Sequence, residues 1–158
     1  FDNLNWDPND LLEEEREIKE TRNICNTTEI SANWSTILKI YEVCMERIRK
    51  EIPDLTLLGG HSSHSYINGT NIYFVYFYNV IGDPDVELTK YHLPIKKIIV
   101  EETIRAGGSM CHHHGVGKYR TPWVEAEYGS SYFMLENLKK VFDPDGIMNP
   151  GTIFPLGK

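Results

Sequence analysis

The segment Asn71–Val80 constrains the fold most, because these ten residues hold three of the chain's nine tyrosines and two of its six phenylalanines. A run so short and so rich in aromatic and β-branched residues predicts a strand rather than a helix. Alternation along a strand gives it two apolar faces, with Tyr73, Val75 and Phe77 on one and Phe74, Tyr76 and Tyr78 on the other. One face must meet something other than water, so the rest of the chain has to build a core against it.

The segments around this strand predict a mixed fold. A second strand is expected at Arg22–Ala32, where β-branched and polar residues alternate. Asp83–Ala106 begins with a capping aspartate but contains Pro94, so we expect a kink or two abutting helices there. Residues 59–70, 107–130 and the tail after 142 are predicted to be irregular. Helical spacing or composition marks Leu11–Lys19, Trp34–Glu51, Asp83–Ala106 and Tyr132–Phe142. The order of elements indicates an α+β or α/β fold.

Length and charge exclude several classes of protein. A chain of 158 residues fits about one domain. Its net charge of -7 would repel a phosphate backbone, so no nucleic-acid partner is expected. No apolar stretch is long enough for a transmembrane helix, and three widely spaced cysteines favour a reducing compartment. A first residue that is Phe rather than Met predicts a piece of a longer protein.

The segment Gly107–Arg120, which we call the His loop, concentrates the residues suited to chemistry. It holds half of the six histidines and four of the twelve glycines. Imidazoles exchange protons near neutral pH, and adjacent ones titrate as a coupled set, so acid/base work is favoured. Gly117-Lys118 is followed by Tyr119 rather than Ser or Thr, which excludes a phosphate-binding P-loop. Adjacent histidines rarely all point at one ion, so no metal site is predicted. A solvent-exposed polar loop, or histidines buried in a domain interface, remains an alternative.

Three segments together make the sequence recognisable. GGSMCHHHGVGKYRTPW, SHSYINGTNIYFVYFYN and FDPDGIMNPGTIFP resemble the C-terminal part of the FAD-binding oxidoreductases of the vanillyl-alcohol oxidase type. Within them, the triple-histidine loop ending in GVGK is most similar to that of the alkyldihydroxyacetonephosphate synthases. The resemblance covers at least Trp34–Pro155 and implies an enzyme with FAD as cofactor.

The resemblance also implies a fold and a division of the chain. It implies an α+β fold: the second half of a flavoenzyme cap domain, with an antiparallel sheet and helices on one face, plus a C-terminal helix that returns to an FAD-binding domain outside this chain. Residues 1–19 would be an irregular lead-in and an acidic helix, 20–107 the partial cap, and 108–158 the His loop and return segment. The N-terminal FAD-binding portion of the same protein is then the expected partner. The chain alone would be inactive, the parent protein cytoplasmic, and a homodimer is left open.

The resemblance assigns roles residue by residue. His112, His113 and His114 of the His loop and Tyr73 of the aromatic strand would be the acid/base groups beside the flavin. The implied reaction exchanges an acyl chain for a fatty alcohol on a phosphorylated ketone at the flavin N5, without net redox change. Tyr73 also fits simple core packing.

Further residues are expected to bind ligands. Asn149 and His112 would contact FAD. Lys118 and Arg120 would hold a phosphate or carboxylate of a small-molecule substrate, although either cation also suits the balancing of nearby acids. His64 would be a substrate contact.

Two other functions stay open. The D-lactate and glycolate enzymes of the same superfamily carry a GHxGDGNxH metal motif and a later Glu-His-Gly. In this chain Tyr73 stands where the second histidine would fall, and His113 where the glutamate would. These departures weigh against a metal-assisted dehydrogenase, but flavin oxidation of a D-2-hydroxyacid with a histidine base remains the alternative reaction. A non-catalytic cap or interface module is the alternative of another class.

Overall fold

Three antiparallel strands form the centre of the computed structural model, which describes residues 8–156. They are β1 (Asn23–Asn33), β2 (Leu57–His61) and β3 (Gly69–Asn79). The aromatic run is β3, and it lies between the other two strands. It pairs with β1 along its whole length, from Asn23 opposite Asn79 to Asn33 opposite Gly69. Residues 1–7, which belong to the predicted lead-in, lie outside the described residues.

Helices pack against this sheet, and together they confirm the α+β fold with an antiparallel sheet. The long helices α2 and α3 pack against its strands, as predicted for helices on one face. A π-helical turn at Glu87–His92 leads directly into α3, whose first turn contains Pro94. The expected break in this helical region is therefore confirmed, because proline has no N–H to continue a regular ladder. The helices are α1 (Pro8–Thr21), α2 (Trp34–Glu51), α3 (Leu93–Arg105), α4 (Gly117–Arg120), α5 (Val124–Tyr128) and α6 (Tyr132–Phe142).

The main core lies between α2, α3 and the face of the sheet that carries Phe74, Tyr76 and Tyr78, which we call the helix face. These three rings are fully buried. The buried Tyr76 hydroxyl lies 3.0 Å from Thr28 Oγ1, and the Tyr78 hydroxyl donates to Glu87 Oε1 at 2.5 Å, so the polar ends of the rings are satisfied. The apolar residues that α2 and α3 bury in this core include Ile37, Ile40, Cys44, Ile48, Ile95 and Ile99.

A second buried cluster joins α3 to the His loop and to the segment that follows it. Its members are Val100, Met110, Val124 and Tyr132. The main core lies within the predicted partial cap, and this second cluster reaches from α3 into the predicted return segment. The division of the chain into residues 1–19, 20–107 and 108–158 stays a prediction. Among the described residues no helix combines the length and apolar character needed to cross a bilayer.

Two predicted irregular segments are wrong in part. Residues 57–61 form β2, which sequence patterns missed because Gly59 and Gly60 are poor strand formers. A Cβ on Gly60 would lie 2.7 Å from the Tyr41 ring, so this strand needs glycine where it crosses α2. The second half of the segment 107–130 is also not irregular, since short helical turns follow one another from Gly117 to Ser131.

Truncation of a core residue of α2 tests this packing. Ile48 is fully buried, whereas Leu38 on the same helix is 63% exposed. We expect Ile48→Ala to lower the free energy of unfolding by about 2–5 kcal/mol, because it leaves a cavity. Leu38→Ala should change it by about 0.5 kcal/mol or less. Urea denaturation of the two variants checks this, and equal losses would contradict the assigned core.

Candidate active site

The face of the sheet opposite the helices, which we call the open face, carries the candidate site. The strand register places Glu29 of β1 and His61 of β2 on either side of Tyr73 of β3. The His61 ring stacks on the Tyr73 ring with centroids 4.8 Å apart and nearly parallel planes. Long-range strand pairing, rather than closeness in sequence, therefore brings these three side chains together.

The Glu29 carboxylate holds the His loop in place. Glu29 is fully buried, although it is an acid in the middle of a strand. Its Oε1 accepts hydrogen bonds from the backbone N–H groups of His112, His113 and His114 at 2.9–3.0 Å, and Oε2 lies 3.0 Å from the first of them. Three consecutive N–H groups converging on one carboxylate form an anion-binding turn, so the three imidazoles are oriented through their backbone.

The start of the His loop is also held by hydrogen bonds. Ser109 pairs with Ser31 of β1 through two backbone hydrogen bonds of 2.8 and 3.0 Å. The Glu127 carboxylate accepts from the Ser109 hydroxyl and from the Met110 N–H. After the histidines, Gly115 has a φ of +77°, a backbone conformation that L side chains rarely adopt. The loop is therefore a braced turn rather than a free polar loop.

Arg120, the last residue of the His loop and of α4, supports the part of the loop that carries the histidines. Only 5% of this residue is exposed. Its guanidinium donates to the backbone carbonyl of Gly115 at 2.7 Å and to that of Glu29 at 3.0 Å. The structure buries this side chain against the loop and β1, where it supports the loop. The substrate-binding role predicted for Arg120 stays a prediction.

The histidine rings and two tyrosines form a chain of hydrogen bonds. The Tyr73 hydroxyl is hydrogen-bonded to His113 Nε2. His113 Nδ1 lies 2.7 Å from His112 Nδ1, and His112 Nε2 lies 2.8 Å from the Tyr66 hydroxyl. His64 packs against this chain, with its ring centroid 5.3 Å from that of His112 and 5.2 Å from that of His113. The sequence-predicted residues His112, His113, Tyr73 and His64 are thus brought together.

Charges in the site favour an ionised Glu29 below the rings. Burial acts to raise the pKa of Glu29, but the three loop N–H groups and the Arg120 guanidinium outweigh it and lower that pKa below its ordinary value of 4.5. The His113 Nδ1 atom lies 3.9 Å from Glu29 Oε2. Burial lowers the pKa of His114, and the Glu29 carboxylate only partly opposes this. The His114 imidazole is therefore biased towards its neutral form.

Two predicted ligand-binding residues lie apart from this ring cluster. Lys118 is exposed on α4 and lines a groove that also contains Lys96 and Tyr119. Asn149 lies in the C-terminal turn and has a φ of +45°. It lines a cavity of about 400 Å³ with Tyr132 of α6, among others. The binding roles predicted for Lys118 and Asn149 stay predictions.

Sequence reasoning missed three residues of the site. Glu29 is the one acid within the strand predicted at Arg22–Ala32, and a lone carboxylate in a half-buried strand was a usable signal. His61 belongs to the strand that was not predicted. Tyr66 lies in the turn before β3, and no pattern tied it to the His loop.

Neutralising Glu29 tests its part in the site. We expect Glu29→Gln to destabilise the chain by about 2 kcal/mol or more. The loop N–H groups would lose a charged acceptor, and the NH₂ group of the glutamine is a donor that cannot accept their hydrogen bonds. Glu46→Gln, an exposed substitution on α2, is the control and should be nearly neutral. Urea denaturation at pH 7 checks the difference, and equal stability of the two variants would contradict the anchoring.

The pH dependence gives a second check. A carboxyl whose folded-state pKa is lowered contributes stability above its unfolded pKa and loses it as pH falls through the folded value. Stability of the wild-type chain should therefore fall below pH 4.5, with up to about 1.4 kcal/mol per pH unit from Glu29. The slope of stability against pH should be shallower in Glu29→Gln. It should not vanish, because the pKa values of Glu102 and Asp143 are also lowered in the folded chain. An unchanged slope would contradict the anchoring.

Comparison with known proteins identifies relatives of this chain. The chain is 57% identical over 162 aligned positions to the FAD-linked oxidoreductase YgcU of Escherichia coli (strain K12), an alignment covering 100% of the chain and 34% of that protein. It is 32% identical over 123 residues to the alkyldihydroxyacetonephosphate synthase of Trypanosoma brucei brucei, covering 77% of the chain and 19% of that enzyme. The chain thus spans about a third or less of the length of these relatives.

A solved structure and a family match complete the comparison. The fold superposes on an alkyldihydroxyacetonephosphate synthase with a TM-score of 0.54 and 19% identity, over 89% of this chain and 22% of that one. Residues 10–153 match the family described as FAD linked oxidases, C-terminal domain. The chain therefore belongs to the FAD linked oxidases, of which it carries the C-terminal domain, and the cofactor of this family is FAD.

Proposed function

We propose that this chain supplies the acid/base groups of an FAD-dependent enzyme whose reaction resembles that of alkyldihydroxyacetonephosphate synthase. The observation that carries the proposal is the hydrogen bond between the Tyr73 hydroxyl and His113 Nε2 on the open face. A phenol and an imidazole in direct contact form a pair that can pass a proton in either direction. An exchange reaction without net redox change needs such a reversible pair. In each of its two half-reactions, one reacting group loses a proton and another gains one.

The surroundings of the pair suit this work. The buried Glu29 carboxylate lies beside the His113 ring, with Oε2 3.9 Å from its Nδ1 atom. His114, whose pKa is lowered, is available as a neutral base beside Tyr73, with ring centroids 5.3 Å apart. His113 would hold the proton that Tyr73 releases, and His114 would accept one from an alcohol group.

The residues on the open face fit a bound flavin. A Cβ added to Gly59, which lies on this face beside Val75, would meet no atom within 4 Å, so space is open above the sheet. His113 and His114 are exposed, and a planar ring can approach their edges. We assign His112 and Asn149 as the contacts of this chain to FAD. When bound, FAD supplies the electron-accepting ring that the protein's own side chains lack.

The open face also provides a surface for an apolar part of a substrate. Next to Tyr73 along β3 lie Val75 and Phe77, both half-buried, and Leu57 of β2 stands opposite Phe77 and is 50% exposed. An alkyl chain would bury these groups on binding. We assign Lys118 to an anionic group of the substrate, as a point charge for phosphate or carboxylate, and His64 to a contact beside the rings.

The expected partner of the chain is the FAD-binding portion of the same protein. Helix α6 and the following turn expose large apolar side chains, a pattern of surfaces that are covered in a complete protein. They are Phe133, Met134, Leu138, Val141, Phe142, Ile147 and Met148. This supports the proposed return of the C-terminal helix to the missing portion and the proposed inactivity of the chain alone. A cytoplasmic location and a homodimer remain predictions.

Substitution of the pair in the parent protein tests the proposal. We expect Tyr73→Phe and His113→Gln each to lower kcat/KM about 100-fold or more, since each removes a proton-transfer group. Tyr128→Phe, an exposed change on α5, should leave turnover unchanged. The flavin absorption spectrum of each variant shows whether FAD binding is intact. Turnover within twofold of wild type in both variants would contradict the assigned pair.

The choice of substrate separates the two reactions. With an acyl-dihydroxyacetone phosphate and a fatty alcohol, the proposal predicts an ether product without consumption of an electron acceptor. Anaerobic bleaching of the flavin by a D-2-hydroxyacid, with no ether product, would instead establish the oxidase alternative.

A further inference from the structure

A groove between helices α3 and α4 contains two lysines without a charge partner among residues 8–156. The groove measures about 630 Å³, a volume typical of sites for small molecules. Arg47 and Lys97 also line it, but each forms a salt bridge with a glutamate one helical turn later. Lys96 and Lys118 form no salt bridge or hydrogen bond with any described residue. The groove therefore carries uncompensated positive charge, although the chain as a whole has a net charge of -7.

The surroundings of Lys96 disfavour its positive charge. This lysine is half-buried, and its ammonium group lies over the Tyr119 ring, 4.8 Å from the ring centroid. Burial and then the nearby Arg120 guanidinium lower the pKa of Lys96, and the more distant Glu87 carboxylate only partly opposes this. An anion bound beside Lys96 would supply the missing negative charge, so the ammonium group is a preferred point for anion binding.

Two buried side chains next to Tyr119 each carry a nitrogen without a hydrogen-bond partner among the described residues. His92 is 9% exposed, burial lowers its pKa, and its ring centroid lies 4.9 Å from that of Tyr119. Asn26 Oδ1 already accepts the Thr27 N–H, so Asn26 Nδ2 donates to His92 Nδ1 at 2.8 Å. The neutral His92 ring then carries its proton at Nε2, the atom without a partner. The other atom is Nε of Arg120, which is 5% exposed, and because buried donors are nearly always paired, both point to acceptor atoms of a ligand.

We propose that this groove binds a phosphate ester, whose phosphate group is held by Lys96 and Lys118. Such a group carries nearly two negative charges at neutral pH, which matches two lysines without a partner in the described chain. Ammonium groups attract phosphate as point charges, whereas both terminal nitrogens of Arg120, whose fork would favour a carboxylate, already donate to backbone carbonyls. The organic part of the ester would lie against the rings of Tyr119, which is 47% exposed, and Trp123, which lines the same groove.

The groove and the proposed proton-transfer pair lie on opposite sides of the sheet. Helix α3, which forms one wall of the groove, packs on the helix face, whereas Tyr73 and His113 meet on the open face. The ligand of the groove is therefore an effector rather than the reacting substrate. It would engage Lys118, which is assigned above to the substrate, so we expect it to raise the KM of the parent enzyme for an anionic substrate. This inhibition rests on the proposed function, whereas binding in the groove does not.

Titration of the chain with phenyl phosphate, followed by NMR of the backbone amides at constant ionic strength, tests the site. We expect one saturable binding event, with the largest shifts in residues 116–123. Phenyl phosphate should bind about 10-fold or more tightly than inorganic phosphate, because its ring buries apolar surface against the groove. It should also bind about 10-fold or more tightly than benzoate, which has a similar ring but only one negative charge.

Two substitutions that remove the same charge locate the site. Lys96→Gln should weaken the binding of phenyl phosphate about 10-fold or more, because it removes one of two charged donors. Lys39→Gln is the matched control, since Lys39 is exposed on α2 and does not line the groove, and it should bind as wild type does.

The melting temperature separates loss of the site from loss of the fold. Without ligand, Lys96→Gln should melt no lower than wild type, because the substitution breaks no ion pair, and phenyl phosphate should raise the melting temperature of the wild type more than that of the variant. The proposal is overturned if the wild type shows no saturable binding, or if Lys96→Gln binds as tightly. It is also overturned if Lys39→Gln weakens binding equally, because binding would then follow net charge. An unchanged KM of the parent enzyme at saturating phenyl phosphate would overturn the inhibition and leave the binding site established.

Discussion

The burial of the Glu29 carboxylate is the constraint on which the rest of this structure depends. A buried negative charge costs several kcal/mol unless it is compensated, and here three consecutive backbone N–H groups of the His loop provide the compensation. Arg120 adds a positive charge nearby and bonds to the backbone on both sides of the contact. The loop therefore adopts one conformation because the strand beneath it contains an acid, and the direction of each imidazole follows from that conformation.

The sheet supplies the second half of the arrangement. Because β1 and β3 are antiparallel and in the observed register, Tyr73 stands directly opposite Glu29. The His loop, which Glu29 holds, therefore lies against Tyr73. The helix face of the same strand is packed with fully buried rings, which makes β3 a rigid support. The contact between Tyr73 and His113 is thus fixed from both sides, by the core under the strand and by the carboxylate under the loop.

Local sequence patterns predicted most of the elements and only part of the site. The apolar stripe of α2 and the aromatic density of β3 act within a few residues, so both were found close to their observed bounds. Strand β2 was missed because Gly60 is required by its close approach to Tyr41 rather than by local strand preference. The histidines and Tyr73 were identified through resemblance to a family. Glu29 and Tyr66 were not, because their roles arise from contacts 83 and 46 residues away in the chain.

The most direct measurement is amide hydrogen exchange of His112, His113 and His114, followed by NMR across a range of acidic pH. If Glu29 holds the loop, the three N–H groups are protected together at neutral pH, and their protection falls together as the carboxylate becomes protonated below its ordinary pKa of 4.5. Exchange of all three at the rate of an exposed loop, at a pH where the rest of the sheet is protected, would contradict the account.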